Sequence, residues 1–414
     1  MAGLVRTPSR IVVALALLAA CAAVPSASAQ TSTTPQSGTM APGGSTYSSP
    51  PVIRKVRCVS ACAPRRRLRG GSTARIEGRY LAGVTKVTFH GSVGRRDDRR
   101  IAVKPGTSTR RLRVQVPLSA VSGPVSVQVS KSVKSRRSRS VKILPAPEIE
   151  PNPVLSPVPG TGQGGTPRLE TATSRTRFYF AGSSVRFSYR VTHPSPVSVT
   201  VDLIRTDGTV AYTWSPGPAA PGQTLSVLWR GTLQGRPAPP GRYSFRLNAS
   251  SSTGARARSS STTPVTARDA FDLFPHIFPV RGRHNFGRSG ARFGAGRAGH
   301  SHQGQDVMAR CGTRLVAARG GKVKAKGYHS AAGNYLIITG SRSGQDYGYM
   351  HLTEPSAFDR GDRVLTGQRI GTVGETGNAR GCHLHFELWR RPGWYSGGRP
   401  FDPLPALRDW DSYS

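Results

Sequence analysis

The chain has 414 residues, enough for two or three domains of ordinary size. Its formal net charge is +39, and arginine greatly outnumbers lysine. A charge of this size suggests nucleic acid as a binding partner, but no nucleic-acid-binding motif appears in the sequence. The charge therefore needs another explanation, which depends on where the chain works.

Residues 1–29 predict a secretory signal peptide. Arg6 and Arg10 precede the apolar run IVVALALLAACAAV, which is too short to span a bilayer, and the small-residue sequence ASA ends at Ala29. The alternative is LAAC, a lipobox-like sequence that would place a lipid anchor on Cys21. No other segment is long and apolar enough for a transmembrane segment. The mature chain is therefore expected outside the cytoplasm. There an anionic cell wall or membrane surface is a better counterpart than nucleic acid, unless the arginines only keep a secreted surface soluble.

The region before residue 146 predicts one β domain behind a linker. Residues 30–64 begin as a Ser/Thr/Pro/Gly-rich stretch and are expected to be a disordered linker. Residues 65–145 contain short alternating runs such as TARIEGRYL and PVSVQVS, bounded by Gly and Pro, which predict a β-sandwich. The order GxYLxGVTKVTFxG, LRVQVP, GPVSVQV resembles the IPT/TIG type of immunoglobulin-like domain. Residues 51–145 hold 24 Lys and Arg against three acidic residues, a formal charge of +21.

A second β domain follows the Pro/Gly-rich linker at residues 146–167. Residues 168–268 contain the runs SVRFSYRV, VSVTVDLIR, QTLSVLWRG and GRYSFRLNAS, which predict another sandwich. Their arrangement resembles the Ig-like domain of the flagellar hook-capping protein, which implies a fold and no flagellar role.

Residues 272–404 predict a third all-β domain, followed by a tail at residues 405–414. Runs such as GKVKAKG, NYLIITG, DYGYMHL and QRIGTVG are short strands punctuated by Gly, and no useful helical period occurs there. Eight of the ten histidines lie from His276 onward. The predicted fold class is therefore all-β, with two N-terminal Ig-like sandwiches before a compact antiparallel β-sheet domain that carries the chemistry.

Two short motifs carry pairs of metal-ligand residue types. GHSHQGQD supplies His302 and Asp306, whose Cα atoms would lie about 13 Å apart on an extended strand, so a bend at Gly304 is expected to bring them together. GCHLHFE supplies His383 and His385, which share one face of a strand about 6–7 Å apart. One imidazole of this pair can bind a metal while the other handles a proton.

Two histidines and one aspartate leave a fourth zinc position open, as a catalytic site requires. Zinc acidifies water and polarises a carbonyl oxygen, and two further histidines suit proton transfer near neutral pH.

The motifs HxGxD, YMHL and HLHFE resemble those of the lysostaphin/LytM-type zinc metallopeptidases, which cleave peptidoglycan peptides. GNYLII and GDRVLTGQRIGTVGETGNARGCHLHFE extend the resemblance over roughly residues 275–404. The resemblance implies a groove above one zinc ion per chain. It implies His302, Asp306 and His385 as zinc ligands, with His351 and His383 as the catalytic histidines.

This sequence departs from the family pattern in two places. Cys382 stands where proline usually precedes the His-X-His pair, and a histidine often seen after NYLII is missing, which affects groove shape rather than the ligand set. Four cysteines remain outside the signal peptide, and an even number in an exported chain predicts two disulfides. Because the proposed ligands Asp306 and His385 must meet, we expect Cys311–Cys382, which leaves Cys58–Cys62.

Other residues near these motifs have two interpretations. Glu387 shares the face of His385 and is either a support for it or a structural ion pair, and Tyr349 either lines the groove or packs in the core. His90 and His193 are expected to face solvent, His300 to lie on the surface, and His276, His284 and His329 to lie in loops.

The sequence therefore predicts a secreted zinc metallo-endopeptidase that hydrolyses peptide bonds in peptidoglycan and is held to anionic wall polymers by its basic N-terminal region. The main alternative is a catalytically silent wall-binding protein or amidase activator on the same fold. In such proteins the ligands are typically missing, whereas this chain has all five residues. A flagellar or surface structural protein would rest on fold analogy alone.

Overall fold

The computed structural model describes residues 49–91, 97–146, 153–260 and 268–414. The predicted signal peptide, Cys21 and residues 30–48 of the predicted linker lie outside these ranges. No helix within the described residues is long and apolar enough to cross a membrane.

The first domain consists of two small sheets that share one core. Its strands are β1 Val52–Ser60, β2 Leu68–Arg69, β3 Thr73–Arg79, β4 Lys86–Phe89, β5 Arg99–Ala102, β6 Arg111–Gln115, β7 Val125–Gln128 and β8 Ile143–Leu144, with a short 3-10 turn at Pro64–Arg66. The sheet orders are β1-β3-β6 and β5-β4-β7, and β2 pairs with β8. Inward residues such as Ile76, Val87 and Val127 are fully buried between the sheets. The runs predicted as strands in this domain are therefore strands.

The predicted linker at residues 30–64 extends too far, because Val52–Ser60 is a strand of the first domain. It pairs antiparallel with β3, with Cys58 opposite Ala74. Cys58 and Val56 contribute to the core, while Lys55 and Arg57 point outward. Because these basic residues interrupt the apolar ones, the alternation of apolar and polar residues typical of a strand is hard to recognise in the sequence.

The second domain also has two sheets around one core. Its strands are β9 Ser156–Pro157, β10 Arg168–Thr173, β11 Arg177–Tyr179, β12 Val185–Thr192, β13 Val197–Arg205, β14 Val210–Ala219, β15 Thr224–Trp229, β16 Thr232–Leu233, β17 Arg236–Pro237, β18 Gly241–Ser251, β19 Arg256–Arg258 and β20 Ala270–Phe274. One sheet has the order β15-β12-β10-β9, and the other has β11-β20-β18-β13-β14 with β19 against β18. Trp229 and Tyr243 pack in this core, as expected.

Two boundaries of the second domain differ from the prediction. Phe271 and Leu273 belong to its core, since β20 pairs with β18 and β11, so the third domain starts after Phe274 and not at residue 272. Within the predicted linker 146–167, β9 pairs with β10, and Val158 is buried in the same core. Short pairings of this kind have too few residues to show a period.

The third domain is built on one large antiparallel sheet. Its elements are β21 Val280–Arg281, β22 His284–Asn285, β23 Gly296–Arg297, β24 His300–Ser301, β25 Gln305–Ala309, β26 Arg314–Val316, β27 Gly321–His329, β28 Gly333–Gly340, β29 Gln345–Leu352, β30 Arg363–Val364, β31 Arg369–Thr372, β32 His383–Arg390, β33 Pro400–Phe401 and α1 Leu404–Tyr413, with a 3-10 turn at Ser289–Ala291. The large sheet has the order β22-β25-β32-β29-β28-β27-β30, with β33 against β32. A smaller sheet, β21-β26-β31, shares its core, and β23 and β24 form a hairpin.

The predicted tail at residues 405–414 is wrong, because these residues form most of α1. Leu404, Leu407 and Trp410 are buried and lie three residues apart, so they form one apolar face. Trp410 stacks on the ring of His276 with the centroids 4.3 Å apart. The helix thus closes one side of the third domain. Three apolar residues in a ten-residue helix give a weak signal in the sequence.

Candidate metal centre

Strand pairing brings the histidine- and aspartate-containing motifs of the sequence to one place on the large sheet. β25 and β32 are antiparallel neighbours, and Asp306 lies directly opposite His385. β29 lies on the other side of β32, with Met350 opposite His385, so that His351 follows at the end of this strand. Residues from three distant segments therefore meet because three strands are adjacent.

His302, Asp306 and His385 form a compact buried cluster. The nearest distances are 3.1 Å from His302 Nε2 to Asp306 Oδ1, 2.9 Å from His385 Nδ1 to the same oxygen, and 2.9 Å between the two ring nitrogens. One ligand atom of each residue lies within 4.8 Å of the others, a geometry able to hold a metal ion. The structure brings the three predicted ligands together, and their role as ligands stays a prediction.

The hydrogen bonds of the ring nitrogens that face away from Asp306 show which tautomers of His302 and His385 the cluster favours. His302 Nδ1 donates to the carbonyl oxygen of Arg292 at 2.8 Å, and His385 Nε2 donates to Glu387 Oε1 at 3.1 Å. The nitrogen of each ring that faces Asp306 then bears a lone pair when the ring is neutral, and donates a hydrogen bond to Asp306 when the ring is protonated. Two such lone pairs and a carboxylate oxygen within about 3 Å need a cation between them, and a second hydrogen bond on each ring is the usual support of a metal-binding histidine. The donor set fits zinc.

Glu387 is a buried support for His385. Its carboxylate also accepts hydrogen bonds from the indole nitrogens of Trp389 at 2.7 Å and Trp394 at 3.2 Å. Of the two interpretations left open by the sequence, the structure favours support of His385. Trp394 was not singled out by the sequence, since it lies in a loop beyond β32.

The pKa values in the cluster follow from burial and these hydrogen bonds. Burial opposes the charged form of Asp306, but hydrogen bonds from His302 and His385 outweigh it and lower the pKa of Asp306 below its ordinary value. Burial likewise disfavours charged His385, yet hydrogen bonds to Asp306 and Glu387 raise the pKa of His385 to about 9. The cluster thus attracts positive charge.

His351 and His383 lie beside the cluster with their ring centroids 4.6 Å apart. His351 Nδ1 donates to the carbonyl oxygen of Thr376 at 2.8 Å, and His383 Nδ1 donates to that of Gly381 at 2.9 Å. In both rings this leaves Nε2 without a hydrogen, as an acceptor. His383 Nε2 is 3.6 Å from Asp306 Oδ1, beyond hydrogen-bonding distance.

Burial is the main reason that His351 is neutral, and it lowers the pKa of His351 to about 4. Neighbouring His383 and His385 act in the same direction, while the hydrogen bond with Thr376 opposes them. A neutral imidazole at neutral pH is able to accept a proton.

The backbone of His351 is strained. Its φ is +59°, in the left-handed region that few residues other than glycine adopt. Gly374 makes room for this turn, because an added Cβ there would lie 2.7 Å from the carbonyl oxygen of His351 and 2.5 Å from the amide nitrogen of Thr353. Strain of this kind is concentrated at functional sites.

Gly304 has a different role from the one expected. Its φ is not positive, so the chain does not use the special conformations of glycine there. An added Cβ would instead lie 2.7 Å from His385 Nε2 and 2.5 Å from the carbonyl oxygen of Phe386. The residue is small so that His385 can pack against the backbone.

Residues that the sequence did not single out also border the cluster. Arg297, in the β23–β24 hairpin, places Nη2 3.6 Å from Asp306 Oδ2. Tyr395 is exposed and its hydroxyl donates to Gln303 Oε1 at 2.9 Å, which links the loop after β32 to the segment before β25. The Gly-rich stretch GAGRAGHSH was the available signal for a hairpin there.

Both predicted disulfides are present. Cys311–Cys382 has its Cα atoms 5.2 Å apart, and Cys58–Cys62 has them 5.8 Å apart. The first joins the segment after β25 to the residue before β32, so it ties together the two strands that carry Asp306 and His385.

The remaining histidines and Tyr349 are divided between core and surface. His193 is buried rather than solvent-facing, and His90 is largely enclosed by Asp98 and Ser126. His300 is exposed as expected. Of the three histidines expected in loops, His276 lies in one, whereas His284 begins β22 and His329 ends β27. Tyr349 is fully buried, with its hydroxyl accepting from the amide of Ala318. Tyr349 therefore packs and does not line a groove.

Residues 300–403 match the sequence profile of Peptidase family M23. The peptidoglycan DD-endopeptidase ShyC of Vibrio cholerae is 40% identical over 88 residues, which cover 21% of this chain and 20% of that protein. ShyA of the same organism is 36% identical over 107 residues, covering 25% and 23%. Lysostaphin of Staphylococcus simulans is 32% identical over 111 residues, covering 27% and 22%.

The chain thus spans only about a quarter or less of the length of these relatives. Among solved structures, the catalytic domain of lysostaphin from Staphylococcus simulans is 29% identical and covers 30% of this chain and 92% of that one, with a TM-score of 0.27. Residues 300–403 are thus similar in sequence to Peptidase family M23.

Proposed function

We propose that this chain is a secreted zinc metallo-endopeptidase that hydrolyses peptide bonds in peptidoglycan. The observation that carries the proposal is the buried cluster of His302, Asp306 and His385, with the unprotonated Nε2 atoms of His351 and His383 beside it. The names of the relatives support the substrate, since they include peptidoglycan DD-endopeptidases and a glycyl-glycine endopeptidase.

His302, Asp306 and His385 would hold one zinc ion, which polarises a carbonyl oxygen and acidifies a water molecule. Glu387 fixes the ring of His385 in the orientation that presents Nδ1 to the cluster. His351 Nε2 and His383 Nε2 would orient and deprotonate the attacking water, and the imidazolium so formed would then return this proton to the amine that leaves. Hydrogen bonds to the carbonyl oxygens of Thr376 and Gly381 hold both rings in the tautomer that these transfers need.

The first domain would hold the enzyme at its substrate. Its formal charge of +21 over residues 51–145 would attract anionic wall polymers and raise the enzyme concentration near peptidoglycan. We take this domain and the second one as Ig-like, of the IPT/TIG and hook-capping types respectively. Secretion through the signal peptide 1–29 fits this location, with a lipid anchor on Cys21 as the alternative.

The test measures bound zinc and peptide hydrolysis in the same variants. His302→Ala and Asp306→Ala should lose both, whereas His351→Ala and His383→Ala should keep about one zinc per chain and lose roughly 100-fold in rate. His351→Asn is the better variant at that position, because asparagine tolerates the left-handed backbone. His300→Ala, an exposed neighbour, is the control and should change neither quantity.

Substrates for this test are cross-linked muropeptides and a glycine-bridge peptide, with the products identified by mass spectrometry. Chelation should stop cleavage, and added zinc should restore it. A protein that binds zinc but cleaves neither these substrates nor isolated walls would be a silent wall-binding protein. A His383 variant without zinc beside a His385 variant with zinc would reverse the roles of these two residues.

A further inference from the structure

The first domain has a basic concavity on its outer surface, far in sequence from the metal centre. Its volume is about 370 Å³, and its floor is the outer face of the β5-β4-β7 sheet. The lining residues are Lys86, Thr88, His90, Arg100, Ser126, Val127, Gln128, Lys131 and Lys134.

Strand alternation and register place the polar residues of this surface together. Val87 and Phe89 of β4 point into the core, so Lys86, Thr88 and His90 point outward. Thr88 lies opposite Arg100 of β5 on one side and opposite Ser126 of β7 on the other, and Lys86 lies opposite Gln128. Lys134 joins them through a bridge to Gln128.

The cations of this concavity are not neutralised by the protein. Within the described part of the chain, no ion pair includes Lys86, Arg100, Lys131 or Lys134, and no acidic residue lines the concavity. The neighbouring Asp98 is already engaged, since its carboxylate accepts from His90 Nδ1 at 3.1 Å and from the amide of Gly91 at 3.2 Å. Four like charges around neutral hydroxyl groups need an anion.

The other outer face of the same domain is basic too, but its chemistry differs. Arg57, Arg75 and Arg113 point outward there from β1, β3 and β6, and Arg75 is paired with Glu77 at 2.9 Å. The face built on β5, β4 and β7 thus combines four unpaired cations with the hydroxyl group of Thr88 in a hollow. Charge-assisted hydrogen bonds to an anion gain from such an arrangement.

The lining favours a phosphate group over a nucleobase. Among the described residues that line the concavity, His90 has the single aromatic ring, and its two ring nitrogens bond Asp98 and Ser126. Proteins that bind single-stranded nucleic acid usually stack bases on aromatic side chains. Lysine and arginine with hydroxyl donors suit the tetrahedral oxygens of a phosphodiester.

We propose that this concavity is a binding site for the phosphodiester groups of an anionic cell-wall polymer. The inference rests on the proposed function for its setting and deepens it, because it assigns wall attachment to one face of one domain. Attachment then comes from a defined site and not from net charge alone.

The experiment compares two variants of the full chain that lose equal charge. The site variant carries Lys86→Gln, Arg100→Gln and Lys134→Gln, and the control carries Arg57→Gln, Arg111→Gln and Arg113→Gln on the opposite sheet. Binding of poly(glycerol phosphate) is measured at 0.1 M salt by calorimetry. The site variant should bind about tenfold more weakly or worse, and the control within about threefold of the parent.

Two further polymers test the chemistry of the ligand. Polyglutamate, a carboxylate polymer, and single-stranded oligothymidine should both bind the parent chain more weakly than poly(glycerol phosphate). Equal losses in the two variants would overturn the site, tighter binding of polyglutamate would overturn the phosphate assignment, and tighter binding of oligothymidine would indicate a nucleic-acid surface.

Cleavage of a small soluble peptide separates this inference from the proposed enzyme function. Both variants should cleave it at the parental rate, since neither set of residues touches the metal centre. Absence of cleavage in the parent would contradict the enzyme function and leave the binding result intact. If the site variant does not fold, the single variant Lys134→Gln replaces it, because Lys134 is exposed. This variant should still weaken polymer binding severalfold.

Discussion

At the scale of single residues, the hydrogen bonds of the imidazole rings set the chemistry of the site. Each of the four histidines at the centre donates from one nitrogen to a carbonyl or carboxylate oxygen, and the other nitrogen faces the cluster or the space beside it. The donor nitrogen is Nδ1 in three of them and Nε2 in His385. The ring of His385 is therefore supported by a side chain, that of Glu387, so a mutation can remove the support without changing the ring.

Glu387→Gln should weaken zinc binding by about 10- to 100-fold without removing a ligand. The amide is a poorer acceptor than the carboxylate for His385 Nε2–H, so the ring loses orientation and basicity. A zinc competition titration measures this effect. The control is Glu354→Gln, an exposed residue just beyond β29. Equal zinc affinity in Glu387→Gln and the parent would show that Glu387 only satisfies the two tryptophans.

His276 should make the third domain less stable in acid. Burial, assisted by the charge of Arg319, lowers the pKa of His276 to about 3, below the ordinary value of 6.5. Between these values the unfolded chain binds the proton more tightly, so stability is complete above pH 6.5 and is lost as the pH falls toward 3. At pH 5 the loss is about 2 kcal/mol.

His276→Gln should remove part of this acid sensitivity, because glutamine can still bond the hydroxyl of Tyr347 but does not titrate there. Thermal melting at pH 7 and pH 5 is the measurement, with the exposed His329→Gln as control. If the melting temperature falls equally in the parent and in His276→Gln between pH 7 and pH 5, other groups cause the loss of stability in acid.

At the scale of elements, the Cys311–Cys382 disulfide holds β25 and β32 at the register that the site needs. It closes a loop of 71 residues, whereas Cys58–Cys62 closes one of four. In the chain-entropy model the long loop stabilises by about 4 kcal/mol and the short one by about 2 kcal/mol.

Replacing both cysteines of the long loop by serine should therefore lower stability and zinc affinity together. The double Cys58→Ser, Cys62→Ser variant is the matched control, and it should lower the stability of the first domain alone. Denaturant unfolding measures the stability of each double variant, and a zinc titration measures its zinc affinity. Unchanged zinc affinity in the Cys311→Ser, Cys382→Ser variant would show that the sheet holds the register unaided.

At the scale of the whole molecule, the third domain contacts both domains that precede it. Arg67 of the first domain bonds Asp359 at 3.0 Å and Asp362 at 2.5 Å, and Lys142 bonds Asp359. Burial opposes the charged form of Asp359, but the hydrogen bonds and charges of Lys142 and Lys326 outweigh it and lower the pKa of Asp359 to about 2. From the second domain, Phe274 stacks on Tyr413 of α1 with centroids 4.2 Å apart.

Arg67→Gln should loosen the first domain from the third. The guanidinium bonds two carboxylates at once, and glutamine cannot replace this. Limited proteolysis of the first domain should be faster, and cleavage of a soluble peptide should be unchanged. Arg69→Gln is the control, since the guanidinium of Arg69 bonds the carbonyl oxygen of Ala61 within the first domain. Equal proteolysis of both variants would mean that the ion pairs do not hold the domains.

The sequence by itself determined most of the strands and the identities of the residues that meet at the centre. Period-two alternation survives wherever one face of a strand is buried, as in β4, β7 and β13, so these strands can be identified without a structure. The resemblance to the lysostaphin/LytM-type metallopeptidases brought His302, Asp306 and His385 into one hypothesis, and the position of the cysteines relative to these residues led to the correct pairing.

Only the tertiary structure decided features that depend on contacts between distant segments. Val52–Ser60 is a strand because β3 pairs with it, and α1 is a helix packed on the core and not a tail, because Trp410 reaches His276. The left-handed backbone of His351, the steric need for Gly304 and the unpaired cations around Lys86 are also set by neighbours far away in the chain. Local patterns record which face of an element is buried, whereas these features depend on what it is buried against.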